Sequence, residues 1–247
     1  MLEVLGSKIV DQARHVRKRM LRAGECELPH FKFVGREGGG DKVRIGFFAA
    51  IHGDEPAGTH ALMKFLEVLC AEPGLADGYD LFFYPICNPR AFAAGTRLTP
   101  SGKDLNREFW QNSSEPEVRL LEQEIRTHAF QGLISLHSDD TSDGLYGFVR
   151  GAVLTRGLLE PALAAAEEII PRNRKAIIDG FPAQNGIISE CYDGILTSPP
   201  DLQPAPFEII LETPHSAAME AQVRSFVVAM RTILLEYQKL LAFAANL

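Results

Sequence analysis

An α/β domain built on a mainly parallel sheet, with helices on both faces, is predicted by three observations on the 247-residue sequence. Strand-length apolar runs alternate with segments of helical periodicity. Those runs are apolar throughout rather than at every second residue, as in strands covered on both faces. The chain is 46% hydrophobic and 23% charged, which suits a packed core and excludes disorder, collagen or coiled coil as whole-chain descriptions. The length fits one domain of this class. No repeat or linker marks a second, so residues 1–247 are read as a single domain.

Residues 1–23 place Val4, Leu5, Ile9, Val10, Ala13, Val16, Met20 and Leu21 at helical spacing, and Gly24 is positioned to stop that helix, giving an N-terminal helix over 1–24. Residues 35–41 hold three consecutive glycines and read as a turn or loop; a phosphate loop is excluded because Gly40 is followed by Asp41 and Lys42. Residues 43–51 (VRIGFFAAI) form a strand candidate that stops at His52-Gly53. Pro56 then opens a helix through Ala61, Leu62, Phe65, Leu66 and Leu69 to about residue 70. Residues 80–86 (DLFFYPI) are the next strand candidate, followed over 88–113 by a long polar loop of the kind that carries function. A helix opening at Ser114-Glu115-Pro116-Glu117 leads to a strand at 132–136 (GLISL), which ends at His137. Further on come a helix over 158–170, an irregular proline-rich stretch over 177–206, a strand over 207–211 ending at Glu212, and a closing helix over 217–243.

The net charge is −7. An acidic chain has no general attraction for phosphate backbones or anionic lipid, so nucleic acid and membrane are not expected as partners. No apolar run approaches the roughly 20 residues of a spanning helix. Charged residues interrupt the N-terminus, so no signal segment is read there and a cytoplasmic location is expected. Cys26, Cys70, Cys87 and Cys191 form no C-x-x-C pair and are expected to be reduced thiols.

His52 with Glu55, then His137, then Glu212 stand at the carboxyl ends of three separate strand candidates. Ligands in open α/β sheets bind just beyond such ends, so the topology would gather residues distant in sequence onto one rim. Two imidazoles and one carboxylate, with a fourth position left to water, are the ligand set of a catalytic zinc site. Glu212, closing an otherwise apolar strand, suits a proton-transferring carboxylate. In the 88–113 loop, Arg97, Asn106 and Arg107 offer donors suited to a substrate carboxylate.

HGDE at 52–55, NPRAF at 88–92, TR at 96–97, DLNREF at 104–109, EPE at 115–117, SLH at 135–137 and LETP at 211–214 occur in one order along the chain. Over roughly residues 43–215 the sequence resembles the zinc carboxypeptidase superfamily, which includes metallocarboxypeptidases, murein peptide amidases and the succinylglutamate desuccinylase/aspartoacylase group. The resemblance implies a three-layer sandwich with a central mixed, mainly parallel sheet of about eight strands. By this resemblance His52, Glu55 and His137 are ligands of one Zn²⁺ per chain, and Glu212 is the general base. Arg97 would polarise the scissile carbonyl, and Asn106 and Arg107 would hold the substrate's free carboxylate. Tyr192 is the candidate for the mobile active-site tyrosine, with Tyr146 a second contender that would line the pocket. His60, His128 and His215 are read as structural, and Asp54 as a turn residue.

The function so implied is hydrolysis of an amide bond next to a carboxylate-bearing residue in a small peptide or acyl-amino acid. Only 35 residues follow Glu212, which favours a compact carboxypeptidase or peptide amidase over a deacylase carrying an additional β-rich domain. The alternatives are an N-acyl-amino-acid deacylase of the desuccinylase/aspartoacylase type and, from another class, a non-catalytic metal-binding protein of the same fold. A serine hydrolase is disfavoured because no G-x-S-x-G elbow is present.

Overall fold

Four parallel strands set the architecture of the computed structural model, which describes residues 15–36, 41–151 and 155–244. They are β3 (Val43–Ala49), β4 (Tyr79–Tyr84), β5 (Gly132–Asp139) and β10 (Phe207–Pro214), adjacent in the order β4-β3-β5-β10. Antiparallel strands extend both sides: β1 (Val16–Ala23) and β2 (Cys26–Val34) beyond β4, and β6 (Tyr146–Gly151) beyond β10. Three short strands, β7 (Ile177–Ile178), β8 (Phe181–Gln184) and β9 (Ile187–Ile188), complete a mixed ten-stranded sheet. The α/β expectation holds, with ten strands among the described residues where about eight were expected.

Alternation along the strands sorts side chains to two faces. Ile45, Phe47, Leu81, Phe83, Ile134, Leu136, Ile209 and Leu211 belong to one core. That core is covered by helices α1 (Pro56–Ala71), α4 (Thr155–Ala166) and α5 (Met219–Ala244). Phe48, Phe82, Tyr84 and Leu133 point the other way, onto α3 (Pro116–His128). His137 follows Leu136 and Glu212 follows Leu211, so both side chains leave the sheet on the α3 side.

Several elements depart from the sequence reading. Residues 16–23, expected in a helix, form strand β1, paired antiparallel with β2 through the Gly24 turn. Its side chains are mostly exposed. Arg17, Lys18, Arg19 and Arg22 make a charged edge, as edge strands need, so its few apolar residues mimicked helical spacing without a helical face to bury. Residues 1–14 and the glycine run 37–40 lie outside the described residues. The 88–113 loop contains a short helix, α2 (Pro89–Ala94), capped by Asn88, and a 3₁₀ turn at Leu105–Arg107. The helix expected over 158–170 runs instead from Thr155 to Ala166, the irregular 177–206 segment carries β7–β9, and β6 lies in a stretch not read as a strand. No described helix is long and apolar enough to cross a membrane. All four cysteines are free.

His30 on β2 is buried, stacks against Phe82 and Tyr84, and has no hydrogen-bond partner on either ring nitrogen. Burial lowers its pKa to about 4, outweighing the opposing pull of Glu124. Below pH 6.5 the unfolded chain gains a proton that the folded ring refuses, so stability present above pH 6.5 is lost as pH falls towards 4. The loss amounts to about 3 kcal/mol. His30→Leu should flatten the pH dependence of denaturant unfolding across this window by about one proton relative to the parent chain.

Candidate metal centre and substrate cavity

The carboxyl ends of β3, β5 and β10 converge through the parallel register. Ala49 pairs with Leu136, and His137 pairs with Glu212. After β3 the chain turns at Ala50 (φ 49°) and runs through His52-Gly53-Asp54-Glu55 directly into α1 at Pro56. Gly53 is required there: a Cβ would collide with the backbone of Ala91 and Phe92, and its N–H donates to the Thr96 carbonyl. This close approach seats α2 and the following loop against the HGDE turn. Asn88 supports the same junction, its amide donating to the Ile51 carbonyl while its oxygen caps Ala91.

Glu55 lies between the two imidazoles. Its Oε1 is 2.6 Å from His52 Nδ1 and its Oε2 is 2.9 Å from His137 Nδ1, with the two Nδ1 atoms 3.3 Å apart. All three residues are buried, and one ligand atom from each lies within 4.8 Å of the others. The donor set fits a cation: three lone-pair-bearing atoms face one another, which neutral imidazoles and a carboxylate tolerate only around a proton or a metal. His137 Nε2 is buried without a partner, whereas His52 Nε2 is 3.0 Å from Asp104 Oδ1. Burial works against charge on Glu55, but the neighbouring His137 and His52 outweigh it and hold the carboxyl well below its ordinary range. Burial lowers His137; for His52 the bonds to Asp104 and Glu55 outweigh burial and raise it.

A cavity of about 470 Å³ opens over this cluster. Arg97 lines it and reaches Glu55 (3.5 Å) and Asp104 (3.2 Å). Asn106 is buried, its Oδ1 accepting from the Leu196 N–H, which leaves its amide nitrogen without a described partner. Arg107 donates to the Asn106 carbonyl and stacks 4.0 Å from the Tyr192 ring centre. Gly194 holds this wall, since a Cβ there would strike the Arg107 carbonyl. Tyr192 Oη donates to Asp179. Glu212 is partly exposed to the cavity, and burial together with Glu55, Asp139 and Asp179 raises its pKa well above the ordinary carboxylate value.

Every sequence-predicted site residue therefore faces one cavity: His52, Glu55, His137, Glu212, Arg97, Asn106, Arg107 and Tyr192, with Tyr146 and Asp54 beside them. His215, read as structural, is also on its rim. His60 and His128 lie elsewhere, on α1 and α3. Asp104 was missed. It braces both His52 and Arg97, and the only local sign was its place before the Leu105–Arg107 turn, where it caps Asn106 N–H.

Residues 42–171 match the family model described as the succinylglutamate desuccinylase/aspartoacylase catalytic domain. Carboxypeptidase D of Homo sapiens is 31% identical over 113 residues, which is 39% of this chain and 8% of that protein. Only a small part of this curated relative's length is thus spanned. A candidate metallopeptidase of Shewanella baltica OS155 shares the fold at TM-score 0.77, with 20% identity over 95% of this chain and 90% of its own. A Pseudomonas aeruginosa metallo-carboxypeptidase in complex with (2-guanidinoethylmercapto)succinic acid gives TM-score 0.69 and 17% identity over 96% and 68%.

Because Asp104 orients the His52 ring from behind, Asp104→Ala is expected to weaken divalent-metal binding by about 10–100-fold, as loss of such outer partners does. Competition with a chromogenic chelator measures this.

Proposed function

Because the chain belongs to the succinylglutamate desuccinylase/aspartoacylase catalytic-domain family, within the zinc carboxypeptidase superfamily, we propose that it is a zinc-dependent hydrolase. It cleaves an amide bond next to a carboxylate-bearing residue, most simply as a metallocarboxypeptidase or peptide amidase. The observation that carries this reading is the convergence of His52, Glu55 and His137 with Glu212 and Arg97 in one cavity.

His52, Glu55 and His137 would hold one Zn²⁺, which when bound would supply Lewis acidity to water and to the scissile carbonyl. Glu212 accepts the proton of the attacking water and delivers it to the leaving nitrogen as the C–N bond breaks. Arg97, on the cavity wall, donates to the carbonyl oxygen as negative charge builds there. The free Asn106 amide and the Arg107 guanidinium bind the substrate carboxylate, and Tyr192 backs Arg107. The ligand of the Pseudomonas aeruginosa complex, a succinic acid derivative, supports a carboxylate-bearing substrate. The free thiols fit a cytoplasmic setting.

The family match itself favours a second reading, deacylation of an N-acyl-amino acid. Hydrolysis of C-terminal peptides and γ-glutamyl-diaminopimelate peptides, set against N-acetyl-aspartate and N-succinyl-glutamate, separates the two.

Glu212→Gln should keep about one zinc per chain while hydrolysis falls by roughly 10²–10⁴-fold, the usual contribution of a general base. His52→Ala should lose the metal as well. Elemental analysis alongside the rate assay reads both, and a Glu212→Gln protein with near-parental turnover moves the base elsewhere.

A further inference from the structure

Beyond Leu136 and Leu211, the face of the sheet turned away from the cavity changes character. Ile134 and Leu136 on β5, with Ile209 and Leu211 on β10, feed the apolar core beneath α5. The next side chains on that face are Ser138 and Thr213, register partners that are both buried. Gln222, buried in the first turn of α5, meets them there. It heads a helix stripe that continues through Phe226, Ala229, Met230 and Ile233, all core residues. Three polar side chains thus stand where the pattern of two strands and a helix calls for apolar ones.

Their hydrogen bonds close on one another. Gln222 Oε1 accepts from Ser138 Oγ and from Thr213 Oγ1, at 2.9 Å each. Its Nε2 donates to the carbonyls of Ala217 (2.8 Å) and His215 (3.4 Å), in the turn joining β10 to α5. Carbonyls only accept, so the amide faces one way, and all four of its bonding positions are filled. The backbone ties the same strand ends: the His215 N–H donates to the Asp139 carbonyl, and the Ser138 N–H donates to Glu55 Oε2 (3.2 Å).

We propose that Gln222 is a positioning residue for the metal centre, acting from the far side of the sheet. By clamping Ser138 to Thr213 it holds the ends of β5 and β10 so that the Ser138 N–H meets Glu55 and His137 stands beside Glu212. This deepens the hydrolase reading and rests on it for the identity of the centre. An apolar side chain would continue the helix stripe, but it would leave two buried hydroxyls without an acceptor. Buried polar groups without partners are costly, and the backbone shifts to relieve them. A shift at residues 138 and 213 moves His137 and Glu212, each one position earlier in the chain.

The test compares the full parent chain with Gln222→Met, Ser138→Ala and Ile125→Ala, the last a core truncation on the opposite face of the sheet. Co²⁺ serves as the probe, its affinity read by chelator competition and its ligand geometry by its visible bands. Gln222→Met should bind Co²⁺ about tenfold more weakly and shift those bands, as loss of an outer support does. Ile125→Ala should lose stability and change neither. Ser138→Ala should weaken binding less, and add little in the Gln222→Met background, because both act through one clamp. In metal-free protein the Ser138 amide should exchange about tenfold faster in Gln222→Met, with β4 amides at parental rates. Parental affinity and bands in Gln222→Met, or equal losses in Ile125→Ala, overturn the proposal. If Gln222→Met does not fold, Ser138→Ala carries the test by the same readouts. Tight cobalt binding by a parent chain that hydrolyses no amide sinks the hydrolase reading alone. A parent chain that takes up no cobalt sinks the zinc reading, and the Ser138 exchange rate then decides the clamp.

Discussion

A buried carboxylate between two buried imidazoles is the constraint on which the site depends. Taking the Glu55 charge out of water costs several kcal/mol unless partners replace the lost hydration. Here the partners are His52 Nδ1, His137 Nδ1 and the Ser138 N–H. They come from a turn after β3 and from β5, so satisfying one carboxylate also ties two strand ends together. The turn is tight because Gly53 admits the Ala91–Phe92 backbone and Pro56 starts α1 immediately. A longer or bulkier connection would move His52 away from the imidazole it faces.

From that cluster the electrostatics spread outward in layers. Asp104 is held well below the ordinary carboxylate range; burial opposes this, but the His52 hydrogen bond, Arg97 and the Asn106 N–H outweigh it. It thus serves as a fixed anion behind His52. Arg97 bridges it to Glu55, which places a guanidinium at the cavity edge without leaving it free to wander. Glu212 has no such support. No described hydrogen bond holds its carboxylate, and nearby negative charges discourage ionisation, the opposite of Asp104. Two carboxylates on either side of the His52–Glu55–His137 cluster are thereby made chemically unlike by their surroundings.

Legibility in the sequence followed the physics of burial. The central strands were readable because both faces are covered and nearly every residue is apolar, as in VRIGFFAAI and GLISL. Strands β1 and β2 were not: β1 is an exposed, arginine-rich edge whose sparse apolar residues mimic a helix, and β2 follows it through a hairpin. The short strands β7–β9 are two to four residues long, too brief for any periodicity to register. In the site, His52, His137 and Glu212 stood out as ionisable groups closing apolar runs. Asp104, Asp139 and Asp179 did not, because an aspartate in a polar stretch looks the same whether it faces solvent or a cavity.

Residue types and their order along the chain determined by themselves the α/β class, the strand ends at which ionisable residues stand, and a His/Glu/His set of the type that suits zinc. Only the tertiary structure decided that His137 and Glu212 occupy paired positions on neighbouring strands and leave the sheet on the same side. It alone decided that Asp104 braces His52, and that Arg107 packs over the ring of Tyr192, whose hydroxyl donates to Asp179. The reason lies in range: periodicity and capping act over a few residues, whereas the His52–Asp104 and His52–His137 contacts join residues 52 and 85 positions apart, and only the folded sheet brings such segments together.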